Sequence, residues 1–132
     1  MKYMLMMQAQ HGSGYWEITQ WAAEDFNAHL EYMKDLYRKL TESGELVGAE
    51  GLAPPKEARM VRAGRGGRPI VTDGPFAETK EFIAGFWIVS VDTPERAYEI
   101  AAEASSAPGP GGEPLIIPIE VRQVPDAPPS PH

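Results

Sequence analysis

The stretch Pro69–Val91, PIVTDGPFAETKEFIAGFWIVSV, governs how the rest of the chain is read. Its first part reads as a strand that runs into Asp73-Gly74-Pro75. Aspartate can bond its own backbone and glycine takes positive φ without steric cost, so this is turn chemistry. Pro75 has a fixed φ and no N–H, which ends the strand. Glu78, Lys80 and Glu81 keep the following link in water. Phe82–Val91 is then apolar on both alternations. A strand with one solvated face would alternate apolar with polar residues, and this one does not. The expectation is that helices cover one side and something equally apolar covers the other. Gly85, lacking a side chain, marks a bulge or a close backbone approach.

Upstream, Lys2–Gln8 reads as a first strand, also apolar on both sides. His11-Gly12-Ser13-Gly14 reads as a loop with a solvated histidine. From about Thr19 to Ser43 the period becomes helical, with Ala22, Phe26, Leu30, Met33, Tyr37 and Leu40 forming an apolar stripe. Thr19 or a neighbour is the expected N-cap, and Gly44 suits the left-handed position that ends a helix. Glu45–Leu52 reads as a second strand, with Leu46, Gly48, Glu50 and Leu52 on one face, stopped by Pro54-Pro55. Glu57–Ala63 and Arg68–Thr72 read as a hairpin turned at Gly64–Gly67. Downstream, Asp92 or Thr93 caps a second helix with Pro94 in its first turn. Its expected inner stripe is Ala97, Tyr98, Ile100, Ala101 and Ala104. Leu115–Val124 is the last strand, and Pro118 points to an edge position or a bulge. The order β-α-β-(hairpin)-β-α-β predicts an α+β, ferredoxin-like sheet with two helices on one face. One domain is expected over residues 1–124, followed by a disordered Pro-rich tail, 125–132.

At 132 residues the chain is one domain by length, and its 42% hydrophobic and 23% charged content suits a globular core. It has no cysteine, which rules out disulfides and thiolate sites. A net charge of −7 argues against direct nucleic-acid binding, which rests on Lys and Arg. Arg59, Arg62, Arg65 and Arg68 are read as a solvated face of the hairpin. Met4–Met7 is too short for a signal-peptide core, and no segment reaches the length of a membrane span, so a cytoplasmic location without membrane partners is expected.

Sites with familiar signatures are missing: no G-x-S-x-G elbow, no phosphate loop ending in Lys-Ser/Thr, no zinc spacing. The remaining candidates are His29, Glu50 and Asp73. His29 lies on or beside the apolar stripe, where the plain structural expectation is a ring at the core edge satisfied by one carbonyl. The functional expectation is a proton carrier near neutral pH, with Asp73 orienting the imidazole. Asp73 also has a turn reason to be where it is. Glu50, sharing a face with leucines, is expected either to feel desolvation or to face water at the strand end. The three could together hold a metal, but their spacing does not demand one, and neither metal nor cofactor is assigned. A pocket is expected between the first helix and the sheet, reached by His29, Asp73 and Glu50. Phe76 and Trp87 would wall it, and Lys80 would offer a cation.

VTDGPFAETKE followed by a Gly-Phe-aromatic strand, the opening KYMLMM, and GELVGAEGLAPP at Gly44–Pro55 together resemble the DGPF-type branch of the YCII-related family. The likeness runs from about Met1 to Val124. It implies a ferredoxin-like unit that pairs as a homodimer into a dimeric α/β barrel, and it points to the histidine on the first helix, His29 here. It is compatible with a cofactor-independent lyase or isomerase acting on a small molecule through a His29–Asp73 pair. It is also compatible with a non-catalytic ligand-binding or regulatory module linked to sigma-factor-dependent transcription. The substrate stays unassigned.

Overall fold

The computed structural model describes residues 1–10, 15–73 and 81–130. In chain order these form β1 (Lys2–Gln10), α1 (Ala23–Glu42), β2 (Leu46–Gly51), β3 (Arg59–Ala63), β4 (Pro69–Asp73), β5 (Glu81–Ser90), α2 (Pro94–Ser105) and β6 (Ile119–Val124). The main sheet runs β2-β5-β1-β6, antiparallel throughout, while β3 and β4 pair only with each other. α1 carries the chain from β1 to β2, leaving between them the place that β5 fills, and α2 carries it from β5 past β1 to β6, which is the ferredoxin-like α+β arrangement with a hairpin inserted after β2. Residues 125–130 form no helix or strand. The Asp73-Gly74-Pro75 turn beyond Asp73, the link carrying Phe76, Glu78 and Lys80, and the His11 loop lie outside the described residues.

The two-sided apolar pattern of β5 resolves through its register. Tyr3 faces Val89 and Leu5 faces Trp87 across β1–β5, and directly opposed residues share a face. These side chains pack under Leu36 and Leu40 of α1 and Ala97, Ile100, Ala101 and Ala104 of α2 as one core. The other alternation places Met4 against Ile88 and Met6 against Phe86 on the outer face. Both helices lie on the core side. Gly85 explains itself twice. It pairs with Met7 just before a bulge that leaves Ala84 opposite no residue of β1. A Cβ built on it would also stand 2.8 Å from the Glu50 carbonyl oxygen.

The ends of the helices follow their sequences in part. Thr93 Oγ1 accepts from the Arg96 N–H at 3.2 Å, capping α2 behind Pro94. Gly44 takes φ +80° after α1, as that position requires. Thr19, however, is not the cap of α1. It lies in a 3₁₀ turn, Tyr15–Gln20, and α1 starts later behind Ala22, which gives no side-chain cap. Arg96 grips Glu45 through two bonds of 2.8 and 2.9 Å, fastening the entry of β2 to the first turn of α2. This contact holds the Glu45 carboxyl below the ordinary carboxylate range.

Three face assignments are corrected. The buried line of α1 passes through His29, Leu36 and Leu40, whereas Leu30 and Tyr37 of the expected stripe are exposed. Tyr98 is exposed on α2, and Ala97, Ile100, Ala101 and Ala104 face the core. In β2 a bulge between Leu46 and Gly48 puts Leu46 and Ala49 on the core side, opposite Val89 and Trp87. Glu50 therefore sits opposite Phe86 on the outer face, away from Leu46, and is exposed. The last strand is shorter than Leu115–Val124. The chain before it forms a bridge from Pro108 to Pro114, and Pro118 stands just outside an edge strand, giving only its carbonyl to Gln8 N–H.

Candidate functional site

Between α1 and the sheet lies a cavity of about 550 Å³, within the size range of small-molecule sites. α1 contributes Phe26, His29, Leu30, Met33, Lys34 and Tyr37 along one wall. Met7 and Ala9 of β1 and Ala84–Trp87 of β5 form the floor, and Glu50–Pro55 closes the β2 side. The exposed Leu30 and Tyr37 are explained by this: they turn from the core toward the cavity. The bulge at Ala84 and the bare Gly85 carry the floor past the end of the close-packed core.

His29 is the buried polar residue of this lining, retaining 2% of its surface. Its Nδ1 lies 3.0 Å from the Pro108 carbonyl oxygen. A carbonyl only accepts, so Nδ1 carries the hydrogen and Nε2 is the basic nitrogen of the neutral ring. Burial lowers the pKa of His29 from the ordinary 6.5, against the opposing pull of the Pro108 carbonyl. The neutral form therefore prevails at pH 7. The Trp21 ring meets the imidazole edge-on, with centroids 5.6 Å apart and planes at 88°. One turn further along α1, Tyr32 donates from its hydroxyl to the Glu103 carbonyl at 2.7 Å, and Lys39 pairs with the Glu103 carboxylate. His29 thus belongs to a row of contacts that fastens α1 to α2 and to the loop after it. One carbonyl binds Nδ1, as the plain structural expectation had it, and the residue also lines the cavity.

The other proposed site residues fall apart from it to different degrees. Trp87, 5% exposed, forms part of the floor. Glu50 lines the β2 side and is exposed. Asp73 is not among the lining residues. Its side chain is 95% exposed and its Oδ1 lies 3.4 Å from Arg59 Nε, across the hairpin. Phe76 and Lys80 lie outside the described residues. Among the described residues no three His, Asp or Glu side chains gather as metal ligands, so His29, Glu50 and Asp73 form no such set. No helix among them is long and apolar enough to cross a membrane. Phe26, Leu30, Lys34 and Tyr37 were not singled out as site residues. The signal for Phe26, Leu30 and Tyr37 is an apolar surface on α1 wider than a single core contact needs, and Lys34 carries none.

The comparison with known families decides the affiliation. The family model of the YCII-related domain matches residues 1–111. The chain belongs to the YCII-related family. An uncharacterized protein of Rhizobium meliloti (strain 1021) is 33% identical over 89 residues, covering 67% of this chain and 71% of that one. The matched region contains α1, the cavity walls and Pro108, so the candidate site of this YCII-related chain lies inside the family domain.

Proposed function

We propose that this YCII-related protein binds a small, mostly apolar organic molecule between α1 and the sheet. His29 moves a proton on that molecule, in the manner of a cofactor-independent lyase or isomerase. The observation that carries this reading is a neutral, carbonyl-locked imidazole in the wall of a largely apolar cavity. Nε2 accepts a proton from a carbon next to an electron-withdrawing group of the ligand. The imidazolium so formed keeps its Nδ1–H bond to Pro108 and returns the proton to another atom or to a leaving group. Trp87 and the apolar α1 wall hold the ligand and Lys34 offers a polar contact, while the Glu50 carboxylate, turned to the outer face, is not enlisted. The Pro108 carbonyl takes the orienting role first assigned to Asp73. Phe76 and Lys80 are retained as further ligand contacts from the DGPFAETK motif, which also supports placement in the DGPF-type branch.

A second reading draws on the fastening role of His29 between α1 and the loop after α2. On it the cavity binds a ligand without turnover, as a regulatory module of the kind linked to sigma-factor-dependent transcription would. A thermal-shift screen of small aromatic and apolar carboxylic acids, followed by turnover assays, separates the two. For an enzyme, hits on the parent are converted, and both His29→Gln and His29→Ala stay folded and lose conversion. Hits that stabilise the parent and His29→Gln equally, with no conversion by either, establish the binding module. If no compound binds the parent and both variants are merely destabilised, the catalytic reading is wrong.

We further infer a homodimer built on the outer sheet face. Met4, Phe86 and Ile88 there are half-buried in the single chain and Met6 keeps 8% of its surface, and both α-helices among the described residues lie on the other side. An apolar sheet face of this kind needs a cover.

A further inference from the structure

The β3–β4 hairpin stands apart from the main sheet, and every residue of β3 is exposed. A lone two-stranded ribbon is marginal in water, yet this one shows Met60, Val61 and Val71 at 59, 61 and 56% exposure. Its charge is opposite to that of the body. Residues 56–73 hold five cations, Lys56, Arg59, Arg62, Arg65 and Arg68, against Glu57 and Asp73, a net of +3. With −7 for the whole chain, the remainder carries −10. Elsewhere the described cations are largely matched at home: Arg38 with Asp35 and Glu42, Lys39 with Glu103, Arg96 with Glu45, Arg122 with Glu120. Among the described residues Arg62, Arg65 and Arg68 meet no carboxylate, and only Arg59 has one, Asp73.

The outer sheet face has the complementary pattern. One row across the four strands reads Glu50, Phe86, Met6, Glu120, with carboxylates at both margins and apolar side chains between. The hairpin offers the converse: Val61 and Val71 pair directly and share one face, Arg62 lies on the opposite face, and Arg65 and Arg68 stand at the turn. It leaves the sheet at the end of β2 and re-enters before β5, the two strands that carry Glu50 and Phe86. We propose that the hairpin is an arm that seats on the outer sheet face of a second copy of this chain, Val61 and Val71 on the apolar strip and the turn arginines Arg65 and Arg68 toward the carboxylates Glu50 and Glu120. This rests on the reading of that face as a self-association surface and adds a contact the bare sheet does not supply.

The test uses charge exchange in the full chain, read by sedimentation velocity. Arg65→Glu/Arg68→Glu reverses the arm, and Glu50→Lys/Glu120→Lys reverses the face. All these positions are exposed, so the fold is retained, as circular dichroism will verify. Each variant alone should associate at least about tenfold more weakly than the parent at low salt, because like charges then meet. An equimolar mixture should recover to within about threefold of the parent, since each arm then finds an opposite face, and salt should erode that recovery. An arm variant that associates as the parent does, or a mixture no tighter than its components, overturns the proposal. Phe86→Glu reads the sheet face separately. If it disperses the dimer while the arm variant does not, the sheet contact stands and the arm falls. A parent that remains monomeric at about 100 μM overturns both.

Discussion

At the scale of single residues, His29 combines two demands that pull on the same proton. Burial disfavours the charged ring, so its folded pKa lies below the ordinary 6.5. As pH falls through that ordinary value the unfolded chain takes up the proton first. Stability is therefore full above about pH 6.5 and is shed as pH drops toward the folded pKa. The denaturant midpoint of the parent should fall between about pH 7.5 and about pH 5, and His29→Gln should flatten that fall. Identical pH slopes in the two proteins would show that His29 titrates alike folded and unfolded. The side of the helix on which His29 sits was legible in its spacing from Phe26 and Met33. Its acceptor was not, because Pro108 is 79 residues away and offers a backbone oxygen, which no residue type announces.

At the scale of elements, β5 depends on a missing side chain. A Cβ at Gly85 meets the backbone of Glu50 and Gly51, which cannot rotate away as a side chain would. Gly85→Val should cost about 1–3 kcal/mol through overpacking and displace β2; a melting curve that matches the parent would count against this. Thr93→Ala should cost about 1 kcal/mol by removing the cap of α2. The glycine's role was readable from the strand that contains it. The phase of α1 was not, because Leu30 and Tyr37 are apolar for the cavity and periodicity cannot tell a cavity wall from a core contact. The bulge in β2 likewise broke the alternation on which the placement of Glu50 was reckoned.

At the scale of the molecule, adjacent residues of one strand answer to different partners. Trp87 points into the core with 5% of its surface left, while Phe86 lies on the outer face. Trp87→Glu should unfold the protomer, removing at least about 3 kcal/mol by lost packing and a buried charge. Phe86→Glu should leave circular dichroism unchanged and yield the monomer mass in light scattering. Unfolding by Phe86→Glu would instead place that ring in the protomer's own core. The element order and inserted hairpin were legible because each element carried its own period and stops. The opposed charges of arm and body were present in the sequence as well. The arginines read as a solvated face until the described ion pairs left Arg62, Arg65 and Arg68 unmatched.

The acceptor of the His29 proton is part of the main chain, and this has a consequence for variation. Every residue at position 108 brings a carbonyl, so no single substitution there deletes the acceptor. The proton's place on the ring is shielded from point mutation and exposed to changes in loop length. An insertion or deletion between Ser106 and Gly109 would shift the carbonyl and let the imidazole exchange tautomers, with the cavity lining itself untouched. Among relatives of this chain, the length of that loop is then a better guide to whether the histidine keeps its role than the identity of any residue within it.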